Sequence, residues 1–195
     1  MPDTGAPWNI PYVEATDLVS GWPTDSLALA NAIAAGLDDA VVAGIGSNVV
    51  STTKTDVWSA ASTSFTDVTG LAVTITPTSA TSKVLVLASF MSSSSTISNA
   101  QTVMRLVRDA TPVGIGDAAG NRSPGFGAGV GWNDSHPRLN SIIFLDSPAT
   151  TSATTYQIQM LARSGTMYVG RSGNDADASY SARSASFITA IEVAA

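Results

Sequence analysis

Hydrophobic and polar positions alternate with a period of two through most of the chain from Asn48 onward, the period of β-strands rather than of helices. The stretch Ser64 to Phe90, SFTDVTGLAVTITPTSATSKVLVLASF, carries the pattern most fully. Leu71, Val73 and Ile75 alternate with Ala72, Thr74 and Thr76, which predicts one apolar face. After a turn of Thr, Pro and Ser the next strand is apolar on both sides, with Val84 and Val86 on one and Leu85 and Leu87 on the other. Such a strand belongs inside a sandwich, or between a sandwich and a neighbouring subunit. Further strands are predicted over 48–53, 56–62, 101–108, 111–116, 139–146, 154–162, 166–170 and 185–193, separated by Ser, Thr, Gly, Asn and Pro clusters. Tyr156, Ile158 and Met160 form the apolar side of one of these. Phe187, Ile191 and Val193 form that of the last, which is predicted to lie inside a sheet. Short strands at this spacing fit a mainly β fold, a jelly-roll-like antiparallel β-sandwich.

The period changes before Asn48. Pro2, Pro7 and Pro11 exclude a helix from the first residues and push their neighbours toward extended geometry. Trp8, Ile10, Tyr12 and Trp22 are large apolar anchors in a segment too short to bury them alone. From Pro23 to Leu37 the spacing of Leu27, Ala30, Ala34 and Leu37, with Ile33 beside them, predicts a short helix. Pro23 suits its first turn, Thr24, Asp25 and Ser26 offer capping oxygens, and Gly36 is its stop. The organisation is therefore an arm and helix over 1–40, a small-residue hinge over 41–47, and a β-sandwich head over 48–195.

Charge sharpens that division. Only 12% of residues are charged and the net charge is −6. Asp3, Glu14, Asp17, Asp25, Asp38 and Asp39 all precede Lys54, the first basic residue, so the whole excess belongs to the arm, helix and hinge. An acidic arm with aromatic anchors reads as a docking element, against the simpler reading of a solvated acidic tail. No basic stripe is present to neutralise phosphates, so nucleic acid is not an expected partner. The chain has no cysteine, which excludes disulfides, thiolate metal sites and cysteine nucleophiles. The N-terminus lacks the basic and apolar regions of a secretion signal, and no run approaches the ~18 apolar residues of a spanning helix. Neither secretion nor membrane insertion is expected.

Candidate chemistry is sparse. His136 stands alone, and its neighbours Asp134 and Ser135 are too close in the chain to converge with it as a catalytic triad. Asn174, Asp175 and Asp177 offer oxygen ligands to a hard cation, but without a closing Glu they read first as a solvated turn. Gly114, Gly116 and Gly120 do not match a dinucleotide fingerprint. Arg105 and Arg108 fall on opposite faces of their strand and read as ion-pair partners. In Gly125 to Trp132, GFGAGVGW, glycine takes every second position, which is unfavourable in a strand unless another backbone approaches closely. Two readings stand: a mobile glycine loop, or a contact with a ligand or neighbouring subunit through Phe126 and Trp132, with Tyr168 as a further candidate. No catalytic residue, metal site or cofactor is expected.

The N-terminal pattern resembles the start of many bacteriophage minor tail and fibre proteins. It is carried by Trp8 to Tyr12, Thr16–Asp17, Trp22–Pro23 and the Leu/Ala helix from Leu27 to Asp39. The usual form has proline after the tyrosine, where this chain has Val13. In the head, SFTDVTGLAVTITP, SKVLVLASF, MRLVRDATPVG, LDSPATTSATTYQIQ and SFITAIEV are similar to small trimeric domains at fibre ends, whose fold is related to the jelly roll of tumour necrosis factor and C1q. The resemblance implies a non-enzymatic virion-surface protein assembled in the host cytoplasm. It also implies a homotrimer on the tail or capsid, docked onto other virion proteins through Trp8, Ile10, Tyr12, Trp22, Leu27, Ile33 and Leu37. A module that binds host envelope glycans is the alternative. A polysaccharide-degrading tail enzyme is a weaker third, since it needs paired carboxylates and the head's acids are scattered.

Overall fold

Val84, Val86, Ala88 and Phe90 are fully or almost fully buried on one face of β4 (Lys83–Ser94), while Leu85, Leu87 and Met91 stay half-exposed on the other. This strand is the spine of the fold. The structure, a computed structural model, describes residues 26–34, 48–95, 101–130 and 137–194. The chain divides into two units, Met1–Ser47 and Asn48–Ala195. In the first, residues 26–34 form the helix α1, and Leu27 and Ile33 are exposed on it. Trp8, Ile10, Tyr12, Trp22 and Leu37 lie outside the described residues, as do the 41–47 hinge, Trp132 and His136.

The second unit is an antiparallel β-sandwich. Its six-stranded sheet joins β1 (Val49–Lys54), β2 (Trp58–Ala60), β4, β8 (Arg138–Asp146), β10 (Met167–Val169) and β11 (Ser186–Val193). β11 and β10 lie end to end along one edge of β4, pairing with residues 83–89 and 92–94, and β8 pairs along the other edge. β1 and β2 continue the sheet outside β11 and β10. The five-stranded sheet joins β3 (Thr66–Ile75), β5 (Gln101–Arg108), β6 (Thr111–Val113), β7 (Gly127–Val130) and β9 (Thr154–Ala162) in the order β3-β9-β5, with β6 and β7 sharing the far edge of β5. The turn around Pro77 thus carries the chain from one sheet to the other rather than closing a hairpin.

Side chains from both inner faces meet in one core. Leu71, Val73, Ile75, Met104, Leu106, Tyr156, Ile158 and Met160 come from the five-stranded sheet, and Val84, Val86, Phe90, Ile142, Met167, Val169, Ile188 and Ala190 from the six-stranded one. Burying a side chain of this size stabilises by roughly 1.5–3 kcal/mol. In β3 the pairing register shifts between Asp67 and Ala72, and Gly70 sits at φ 83°. This bulge turns both Val68 and Leu71 inward although they are an odd number of residues apart. The last strand differs from its predicted polarity. Ile188, Ala190 and Glu192 face the core, while Phe187, Ile191 and Val193 face outward. Alternation alone cannot orient a strand that has apolar residues on both faces, and here the smaller Ala190 and a bonded Glu192 take the inner positions.

Two buried carboxylates flank Val84 on the inner face, since Val84 pairs with Asp146 on one side and Glu192 on the other. Asp146 accepts from Arg108 Nη1 at 2.8 and 3.0 Å and from the Tyr156 hydroxyl at 2.7 Å, which ties the two sheets together. Burial and that acceptor both push the Tyr156 hydroxyl pKa up. Glu192 Oε1 accepts from the backbone N–H and hydroxyl of Thr78 at 2.8 and 2.7 Å, and Oε2 accepts from Asn48 Nδ2 at 3.0 Å. Desolvation works to raise this carboxyl, but the bonds from Thr78, Asn48 and Ser82 overcome it and hold its pKa down at about 2.

Candidate functional site

The pairing register arranges the outer face of the six-stranded sheet in rows. Leu85 lies between Leu145 and Ile191, with Val49 beyond Ile191. Leu87 lies between Ile143 and Thr189, Ser89 between Ser141 and Phe187, and Met91 beside Leu139. Several of these side chains are left in water: Ile143 is 74% exposed, Leu139 70%, Val49 51%, Leu145 47% and Phe187 46%. Among the described residues pointing outward from β1, β4, β8 and β11, only Lys83 at the end of β4 is charged. Ser89 and Ser141 are short, and between their taller neighbours they leave a hollow of about 230 Å³ walled by Leu87, Ile143, Phe187 and Thr189. Single exposed apolar residues are ordinary on a protein surface. A contiguous uncharged patch across four strands marks an interaction surface.

The other outer face is polar. Thr74 and Thr155 share a hydroxyl hydrogen bond of 2.8 Å across β3 and β9. Arg105 Nε donates to Gln159 Oε1 at 2.7 Å, and Gln159 Nε2 donates to Asp67 at 2.6 Å. The Arg105 guanidinium lies 3.9 Å above the Phe65 ring. Desolvation lowers the Arg105 pKa while Asp67 opposes that shift. Arg105 and Arg108 do face opposite ways, and among the described residues only Arg108 of the two forms a salt bridge, inward to Asp146.

Two of the alternating glycines, Gly125 and Gly129, are crowded by β5, while a Cβ on Gly127 would meet nothing within 4 Å. A Cβ on Gly125, just before β7, would stand 2.4 Å from the Met104 carbonyl oxygen, and one on Gly129 within β7 would stand 2.7 Å from Thr102 Oγ1. At Gly125 the missing side chain lets the β5 backbone approach closely. Phe126, between the two crowded glycines, packs against the hydrophobic core and is half-buried. Tyr168 lies on the outer face of β10 opposite Ser93, and its ring is covered by the Arg171 guanidinium at 3.8 Å.

A separate loop runs from Gly170 to Ser184, its ends closed by Ser184 N–H to Gly170 O at 3.1 Å. It is fixed to the sheet by Gly170 N–H to Met91 O at 3.0 Å and by the Ser93 hydroxyl to Arg171 O at 2.8 Å. Inside it, Asp175 takes Arg171 on one carboxylate oxygen and Arg183 on the other, the latter at 2.6 Å. Partial desolvation works to raise this carboxyl, but the bonds from Arg183 and Arg171 outweigh it and hold its pKa below the usual range. Both Asp175 oxygens are thereby occupied, and no group of three or more metal-ligating side chains occurs among the described residues. Among those residues no helix is long and apolar enough to cross a membrane. The chain matches no protein-family model and no curated protein.

Proposed function

We propose that this chain is a non-enzymatic structural protein of a bacteriophage virion, a homotrimeric surface fibre, minor tail or capsid decoration component. Residues 1–40 dock it to other virion proteins, through Trp8, Ile10, Tyr12, Trp22, Leu27, Ile33 and Leu37, and the head is displayed for adhesion to the host surface. The observation that carries the reading is the uncharged apolar face built from Val49, Leu85, Ile143, Leu145, Phe187 and Leu139. A face of this kind is covered when copies of the head assemble around a closed symmetry axis. The strand order supports a jelly roll: β1/β2, β11/β10, β4 and β8 in one layer oppose β3, β9, β5 and β6/β7 in the other.

Light scattering on the full chain is expected to report three copies per particle, and a stable monomer at micromolar concentration would sink the proposal. Deleting residues 1–40 is expected to leave a folded head of unchanged oligomeric state that no longer attaches to particles. Full attachment of the truncated head would move the anchor elsewhere.

A further inference from the structure

From the loop over Gly170–Ser184 we infer a binding site for one neutral pyranose unit of a cell-surface glycan. The loop is of the compact, end-closed kind that surface recognition uses, typically ~6–16 residues long. The two arginines on Asp175 and the ties to Met91 and Ser93 hold it in shape without a ligand, so binding does not have to order it. Asp175 itself stands at φ 47°, a left-handed conformation that aspartate adopts more readily than most residues.

Within this frame Asp175, Asp177, Ser181 and Arg183 help to line a pocket of about 260 Å³. That is just below the ~300–1,000 Å³ of pockets that hold drug-sized molecules, a size for a single sugar ring. Tyr180 directly precedes the lining residue Ser181 and is 84% exposed, the most exposed large hydrophobic side chain described. Its flat apolar ring, beside the lining in sequence, is of the kind on which the C–H face of a pyranose stacks.

Charge selects the ligand class. Asp177 has no partner among the described residues and accepts from vicinal hydroxyls, while Arg183, more than half exposed, donates to ring and hydroxyl oxygens. A bare cation finds Asp175 already neutralised by two guanidinium groups, and an anion meets Asp177. A polyol that both donates and accepts satisfies the lining without an unpaired charge.

Position agrees. β11 runs from Ser186, next to the loop and paired with Lys54, past Ile191, which pairs with Val49 where the chain enters the head, to Val193. The loop therefore springs from the junction of β10 and β11, at the Lys54–Ser186 end of the β1–β11 pair and away from Asn48. The inference deepens the adhesion part of the proposed function, but its chemistry depends on the loop alone.

The test is a printed array of neutral hexose and N-acetylhexosamine oligosaccharides probed with the full chain, then calorimetric titration of the strongest binder. Binding is expected, with Tyr180→Ala and Asp177→Asn each weakening it by about tenfold or more at unchanged melting temperature and unchanged mass. Absence of any neutral-saccharide binding at about 10 mM overturns the inference, as does binding that both variants leave intact. Mass measured on the same samples separates the two ideas. A trimer that binds no sugar removes the pocket and leaves the assembly, and a monomer that binds sugar through Tyr180 does the reverse.

Discussion

On the outside of the five-stranded sheet, Thr74 bonds to Thr155 and Arg105 to Gln159 and onward to Asp67, so neighbouring strands satisfy one another's side chains. On the outside of the six-stranded sheet, Val49, Leu85, Leu87, Ile143, Leu145 and Phe187 stand in the same kind of cross-strand rows but are left partly or largely exposed. Both faces are regular and both flank the same core. The difference lies in what each can gain from a partner. The polar face has its hydrogen bonds already made, so covering it gains little. The apolar face gains the transfer of every exposed methyl and ring from water.

The sharpest way to break this contrast is to place a charge on each face. Ile143→Asp is expected to weaken self-association by at least about 100-fold, because assembly would bury an unpaired carboxylate. The folded single chain should tolerate it, since the side chain is mostly exposed there. Thr155→Asp on the opposite face is expected to leave the mass distribution unchanged. Sedimentation of both variants at equal concentration reads the difference, and an equal response would show that the faces are not distinct.

A second effect separates the sandwich from its assembly. The Glu192 carboxyl falls from an ordinary 4.5 to about 2 on folding, so its bonds stabilise the head above the unfolded value. That contribution, on the order of 3 kcal/mol, is lost as pH falls from about 4.5 toward 2. Glu192→Gln should flatten denaturant midpoints over that window without changing the mass at neutral pH. A wild-type midpoint that does not move between pH 5 and 2 would count against the clasp.

Gly125→Ala comes next, at about 2 kcal/mol of stability, because its methyl would press on the Met104 carbonyl rather than on a flexible side chain. The damage belongs to the edge of the five-stranded sheet, so association of the folded fraction should be normal. The smallest effect is expected from Gln159→Ala, which removes the link between Arg105 and Asp67. Exposed side-chain bonds of this kind contribute about 1 kcal/mol or less, and thermal melting should fall by a few degrees at most.

The strands were legible because a period of two is written directly into runs such as Tyr156–Met160 and Leu71–Ile75. Which way a doubly apolar strand faces was not, and Phe187 and Ile188 illustrate why. The choice between them depends on the fit of Ala190 and Glu192 against a sheet distant in sequence. Gly70 carried a legible hint of the β3 bulge, whereas the alternating glycines gave no sign that β5 would press a backbone carbonyl on Gly125. The loop pocket was hidden for a different reason. SGNDADAS reads as a solvated turn until Ser184 closes on Gly170 and Arg171 and Arg183 converge on Asp175. Tyr180 was the available signal, a lone aromatic among small polar residues.

The clasp of Glu192 on Asn48 also determines how the head would bear traction. Asn48 leads directly into β1, which pairs antiparallel with β11 along its whole length, and the recognition loop lies at the other end of those strands. A head gripped at that loop and pulled at Asn48 is loaded along the strand axis. The rungs between Val49–Lys54 and Ser186–Ile191 then share the load in shear instead of opening one by one, as they would if β1 were peeled sideways. The Asn48 side chain, bonded to Glu192 and to the Thr76 carbonyl, is the first fastening such a pull would meet. Shear is the stronger of the two geometries, and it follows from nothing more than the direction in which the first strand runs.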